Sequence, residues 1–123
     1  MATADAGRIG LIVRHPPWRH RAARADLDLA LAAVAMDYPI DVYFLGSALL
    51  QLAADRDSRE ALLPVGYRAW ASLPEQADAR VYAERAWLDA CARRAVSLIL
   101  EPEPLEPGAM RDSWRRCRHV VMV

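Results

Sequence analysis

A chain of 123 residues is one domain's worth, and with 54 % apolar residues it can bury a core without disulfides or metals. Zero net charge and a pI near 6.8 give no broad electrostatic case for binding nucleic acid or a membrane surface. All 16 basic residues are Arg, which excludes chemistry that needs a Schiff-base lysine or a phosphate-loop lysine.

Residues 1–7 read as a disordered leader, and residues 8–123 as the folded domain. Residues 8–13 (RIGLIV) form a short β-branched apolar run, the mark of a buried strand. His15, Pro16, Pro17 and Trp18 cannot continue it, because two prolines break a ladder. Residues 24–36 carry Leu27, Ala30, Leu31 and Val34 at helical spacing, and Pro39 closes that helix. Residues 40–45 (IDVYFL) are a second strand, and Gly46 turns out of it. Residues 47–52 predict a short helix. A polar stretch follows at 54–59, then irregular helix over 60–70, broken by Pro64 and Gly66, with a connection at 73–75. Residues 81–86 predict a strand, 87–94 a helix and 96–100 (VSLIL) another strand. Pro102 and Pro104 exclude helix after it. Residues 105–116 predict a helix with Pro107 in its first turn, where a missing N–H is harmless. Residues 119–123 close the chain as a strand.

The order β-α-β-α-β-α-β-α-β implies a single-domain α/β sandwich with a five-stranded, mostly parallel sheet covered on both faces. Such sheets collect ligands and catalytic groups outside the carboxyl ends of their strands. Three segments lie there: 15–24, 46–52 and 86–94.

The first of these, HPPWRHRAAR, is bulky and has no glycine, so it does not suit a flavin phosphate. A GxGxxG fingerprint is also missing, as are the acidic pocket and lysine of a phosphoacceptor domain. No cofactor is expected. Arg19, Arg21 and Arg24 could contact an anion or a partner, or could be solvated. Arg93 and Arg94 share that reading. His15 and His20 have no regular ligand spacing, and no metal is expected.

The two cysteines, Cys91 and Cys117, do not make a disulfide framework. No secretory signal precedes the first apolar run, so a reducing cytoplasm and free thiols are expected. Cys91 precedes Arg93 and Arg94. Guanidinium groups favour a thiolate, and a thiolate is the nucleophile of persulfide transfer. Cys91 also suits a small buried position on a helix. Four tryptophans are many for one core. Trp18, Trp70 and Trp87 are the candidates for subunit contacts.

RIGLIV with its proline-containing loop, LDLALAAVAMDYPIDVYFLGSALLQL, and EPEPLEPGAMRDSWRRCRHVVMV stand in an order that resembles the DsrE/DsrF-like family, nearest its TusC/DsrF branch. The resemblance covers nearly the whole chain. It implies a flavodoxin-like subunit of a hexamer built from three related proteins that pass sulfur as a cysteine persulfide, toward tRNA thiolation or within sulfur oxidation. The implied partners are DsrE/TusD-type and DsrH/TusB-type subunits, or further copies of the chain, with no membrane and no direct nucleic-acid contact. In that family the persulfide cysteine belongs to the DsrE/TusD-type partner. The matching position here is Trp87, and Cys91 follows one helical turn later. The resemblance therefore implies a supporting subunit. The alternatives are a sulfurtransferase using Cys91, or a stand-alone homo-oligomeric binding protein.

Overall fold

The computed structural model describes residues 7–54, 67–75 and 78–123. The expected leader (but for Gly7), the polar stretch at 55–59 and the irregular segment at 60–66 lie outside the described residues. Five strands, β1 (Ile9–Val13), β2 (Ile40–Phe44), β3 (Ala79–Glu84), β4 (Glu103–Leu105) and β5 (His119–Met122), form one sheet in the order β4-β3-β2-β1-β5. All four pairings are parallel, with Leu11 opposite Val42 and Val121, and Val42 opposite Val81. The chain steps outward from β1 to β4 and then returns to the other side of β1.

Alternation along the strands splits the sheet into two unlike faces. Leu11, Val13, Ile40, Val42, Phe44, Val81 and Ala83 point to one face. That face is covered by α1 (His20–Ala35), by 3-10 segments at Gly46–Leu52 and Tyr67–Glu75, and by α2 (Arg85–Arg93). Trp70 is only 1 % exposed there and meets Phe44 edge-on at 5.1 Å. Its indole is a core residue rather than the subunit contact expected from composition. The other face carries Asp41, Tyr43 and Tyr82 under α3 (Pro107–Arg115), which contributes Met110, Ser113 and Trp114. Tyr43 stacks on Tyr82 at 5.2 Å and meets Trp114 edge-on at 5.6 Å.

Two helix ends explain where the chain turns. Helix α1 closes on Asp37 at φ 61°, with Asp37 N–H donating to the Val34 carbonyl and Tyr38 N–H to the Ala33 carbonyl. Helix α2 repeats the pattern. Ala95 sits at φ 56°, its N–H donates to the Ala92 carbonyl, and Val96 N–H donates to the Cys91 carbonyl at 2.9 Å. Both are Schellman closures, which a left-handed residue completes. Pro39 follows the first closure rather than causing it. Alanine resists the left-handed region by about 1–2 kcal/mol, partly offset by the entropy glycine loses on folding. Ala95→Gly is therefore expected to raise stability by about 0.5–1 kcal/mol, read from the urea midpoint at unchanged slope.

The expected strand at 96–100 does not form. After the left-handed turn, Val96, Leu98, Ile99 and Leu100 pack on the core, but among the described residues their only ladder-like pairing is one antiparallel bridge from Leu98 to Ala53. The strand is instead Glu103–Leu105, with Pro104 opposite Ala83. Proline is tolerated because β4 is the edge strand beside β3, with no second strand against it among the described residues. Helix α1 starts one turn earlier than its apolar period suggests, because the Pro16 carbonyl accepts Arg19 N–H and the Arg19 carbonyl accepts Ala23 N–H. The connection expected at 73–75 is the last turn of the 3-10 segment Tyr67–Glu75.

Candidate functional site

The parallel strands put the loop after β1, the segment after β2 and the start of α2 together at one end of the sheet, as the alternation of elements predicts. Gly46 takes φ +54° as β2 ends, a conformation that favours glycine, and its N–H donates to Glu84 Oε1 at 2.6 Å. Glu84 is the last residue of β3, so this bond joins the carboxyl ends of two neighbouring strands. The Trp87 indole lies against Gly46, 3.8 Å from where a Cβ would stand. Trp87 is nonetheless 36 % exposed, and Trp18, on the loop after β1, is 61 % exposed.

Beside Trp87 lies a cavity of about 330 Å³ lined by Leu50, Ala86, Trp87, Ala90, Cys91, Arg94 and Val96. Local structure explains the lining. Ala86, Ala90 and Arg94 follow one another at i, i+4 along α2 and its cap. The Schellman turn folds Val96 back over Cys91, and Leu50 comes from the segment after β2. A second cavity of about 580 Å³ flanks the other side of α2, with Arg85, Asp89 and Glu101 among its lining, and Cys91 borders both.

Cys91 is only 6 % exposed, and burial pushes its thiol up, a shift that the Arg94 charge partly opposes. Desolvation thus outweighs the guanidinium that was expected to favour the thiolate. Cys117 stands elsewhere, after α3 and at the amino ends of the strands. Its Sγ lies 3.8 Å from the Tyr43 hydroxyl and 3.9 Å from Asp41 Oδ2, and a Cβ on Gly10 would approach it to 3.1 Å. Neither cysteine forms a disulfide.

The loop after β1 carries the arginines and histidines singled out in the sequence. Arg14 Nε and His15 Nε2 both reach the main-chain oxygen of Val123, at 3.1 and 2.9 Å. Arg24 pairs with Asp28 one turn along α1, while Arg19, Arg21, Arg93 and Arg94 are exposed. His15 and His20 gather no metal set, since no group of three His, Cys, Asp or Glu side chains converges among the described residues.

The sequence did not single out Asp26. It is fully buried in the second turn of α1, behind that loop. Gln51 Nε2 donates to Asp26 Oδ2 at 3.2 Å and to the His15 carbonyl at 2.7 Å, while Asp26 Oδ1 has no hydrogen-bond partner. Burial pushes this carboxyl up to about 6, although the Gln51 bond and the nearby His15 and Arg14 oppose the shift. At the opposite end of the sheet, Arg8 is also fully buried. It donates to Asp41 Oδ1 from Nε and Nη2, to Asp78 Oδ2 from Nη1, and to the carbonyls of Ile40 and Asp78.

The family model described as "DsrE/DsrF-like family" matches residues 7–122. Among solved structures, the chain is similar to the YchN protein from E. coli. The TM-score is 0.75 at 12 % identity, over 94 % of this chain and 98 % of that one, a likeness of fold. No curated protein sequence matches the chain. No helix among the described residues is long and apolar enough to cross a membrane.

Proposed function

Because the chain belongs to the DsrE/DsrF-like family, we propose that it is a TusC/DsrF-like subunit of a sulfur-relay complex, one that supports persulfide transfer without carrying the sulfur. The observation that carries this reading is the placement of the only two thiols in the chain. A persulfide carrier needs an accessible thiolate. Cys91 is buried with its thiol pushed up, and Cys117 is at the far end of the sheet from the candidate site. At the start of α2, where the family resemblance would put the reactive cysteine, the side chain is Trp87. An indole cannot accept sulfur; it can pack against a partner or wall off a site.

Assembly with DsrE/TusD-type and DsrH/TusB-type relatives is part of the proposal. It is supported by an apolar strip at one sheet edge. Val120, Val121 and Met122 of β5 are exposed on a strand that pairs, among the described residues, only with β1, and Leu29 of α1 is exposed as well, as are Met36 and Tyr38 in the turn that follows it. Such an edge invites a partner. The proposed setting is the cytoplasm.

The test loads the purified protein with persulfide from a cysteine desulfurase and compares wild type, Cys91→Ser and Cys117→Ser by intact mass. The expected result is no stoichiometric sulfur adduct on any of the three, with relay appearing when a cysteine-bearing relative is added. A stoichiometric adduct lost only in Cys91→Ser would overturn this reading and make the chain a sulfurtransferase.

A further inference from the structure

We propose that the cavity between α2 and the 3-10 segment Gly46–Leu52 is a binding site for a compact apolar monoanion, an aromatic or medium-chain carboxylate or sulfonate. This inference does not depend on the sulfur-relay reading.

Size comes first. At about 330 Å³ the cavity falls in the range of small-molecule sites. It is roughly twice the ~150 Å³ cavity that holds a benzene ring, so it matches a bicyclic ring system or a chain of similar bulk. Polarity comes second. Leu50, Ala86, Ala90 and Val96 supply aliphatic walls and Trp87 an aromatic one. The Cys91 thiol, held neutral by burial, adds to the apolar surface. Such a lining offers a sugar or nucleotide very few hydrogen-bond partners.

Charge decides the rest. Among the described residues, Arg94 is the only charged side chain of the lining, and it has no carboxylate partner there. The helix end beside it would ordinarily repel an anion through its exposed carbonyls. Here the carbonyls of Ala90, Cys91 and Ala92 are all taken, by the N–H groups of Arg94, Val96 and Ala95. That closure removes much of the negative end and leaves the guanidinium to set the local field. A ligand with an apolar body and one anionic group would fill the cavity and pair with Arg94.

The probes are 8-anilinonaphthalene-1-sulfonate and its uncharged counterpart N-phenyl-1-naphthylamine, which has the same rings without the sulfonate. Fluorescence titrations are run on wild type, Arg94→Met, which keeps the apolar stem, and Ala90→Phe, which fills the cavity. Circular dichroism and thermal melting check that each variant is folded. Wild type is expected to bind one sulfonate and to prefer it over the neutral probe by about tenfold, as a charge-assisted contact implies. Arg94→Met should lose that preference while still binding the neutral probe, and Ala90→Phe should bind neither. Equal affinity for the two probes in wild type would overturn the proposal. So would absence of saturable binding, or sulfonate binding unchanged in both variants. Loss of assembly with a relative in Ala90→Phe, with no probe binding by wild type, would also overturn it, and would make the cavity a socket for a partner's side chain.

Discussion

Arg8→Met is expected to cost about 3–5 kcal/mol of stability, the usual penalty for removing one partner of a buried ion pair. The guanidinium is fully buried, and its donors reach the Asp41 carboxylate, Asp78 and the main chain at Ile40 and Asp78. Burial alone works against its charge, but the hydrogen bonds and charge of Asp41 more than compensate, so its affinity for the proton rises. The contacts reach the segments where β2 and β3 begin, directly beside the start of β1. Asp41 is 2 % exposed, and without the arginine its carboxylate is left facing weaker partners, the Tyr43 hydroxyl at 3.4 Å, the Cys117 thiol at 3.9 Å and Arg80 at 4.0 Å. Most of the loss comes from that stranded carboxylate. Asp41→Asn should therefore cost much less in the Arg8→Met background than in wild type. Urea unfolding of the four proteins in this cycle measures the coupling. A loss below about 1 kcal/mol for Arg8→Met, or simple additivity, would refute the account.

Asp26→Asn is expected to act in the opposite direction, stabilising the protein at neutral and alkaline pH. The Asp26 carboxyl titrates at about 6 in the fold against 3.8 as the ordinary value, so the folded protein holds its proton more tightly than the unfolded chain does. Well below pH 3.8 both states are protonated and stability is at its full value. Between pH 4 and pH 6 the unfolded chain ionises first, and stability falls. Above about pH 7 the loss is complete and constant, at about 3 kcal/mol for a shift of this size. Asparagine resembles the protonated acid and can still accept from Gln51, so the variant should lack this pH dependence. Its advantage over wild type should grow by about 2–2.5 kcal/mol from pH 4 to pH 8, on the order of 10 °C in Tm. Melting curves at the two pH values measure it. A difference between the two proteins that stays constant across that range would show that Asp26 does not titrate in the fold.

The same two residues mark where local patterning stops being informative. Arg8 reads as the polar first letter of RIGLIV, and Asp26 as an acidic residue near a helix start. Neither reading says that a charge is buried. Arg8 is enclosed because β2 and β3 begin beside it. Asp26 is enclosed because α1 starts at His20, which carries Asp26 into the second turn against Gln51.

What the sequence determined by itself was the α/β class, four of the five strands, the helices, and the end of the sheet where the candidate site would lie. Each of these rests on local periodicity: β-branched runs for strands, 3.6-residue spacing for helices, and glycine or proline where the chain turns. The tertiary structure decided the fifth strand. VSLIL has the composition of a strand, but the left-handed turn at Ala95 holds Val96 against α2. The edge of β3 was left for Glu103–Leu105, where proline removes a hydrogen bond that nothing needed. It also decided which tryptophan is spent in the core and that the Cys91 thiol lies under α2, because burial depends on which elements meet. The cavity beside Trp87 was settled in the same way. Leu50 and Val96 are 46 positions apart in sequence, and only the packing of α2 against the segment after β2 brings them into the lining of one site.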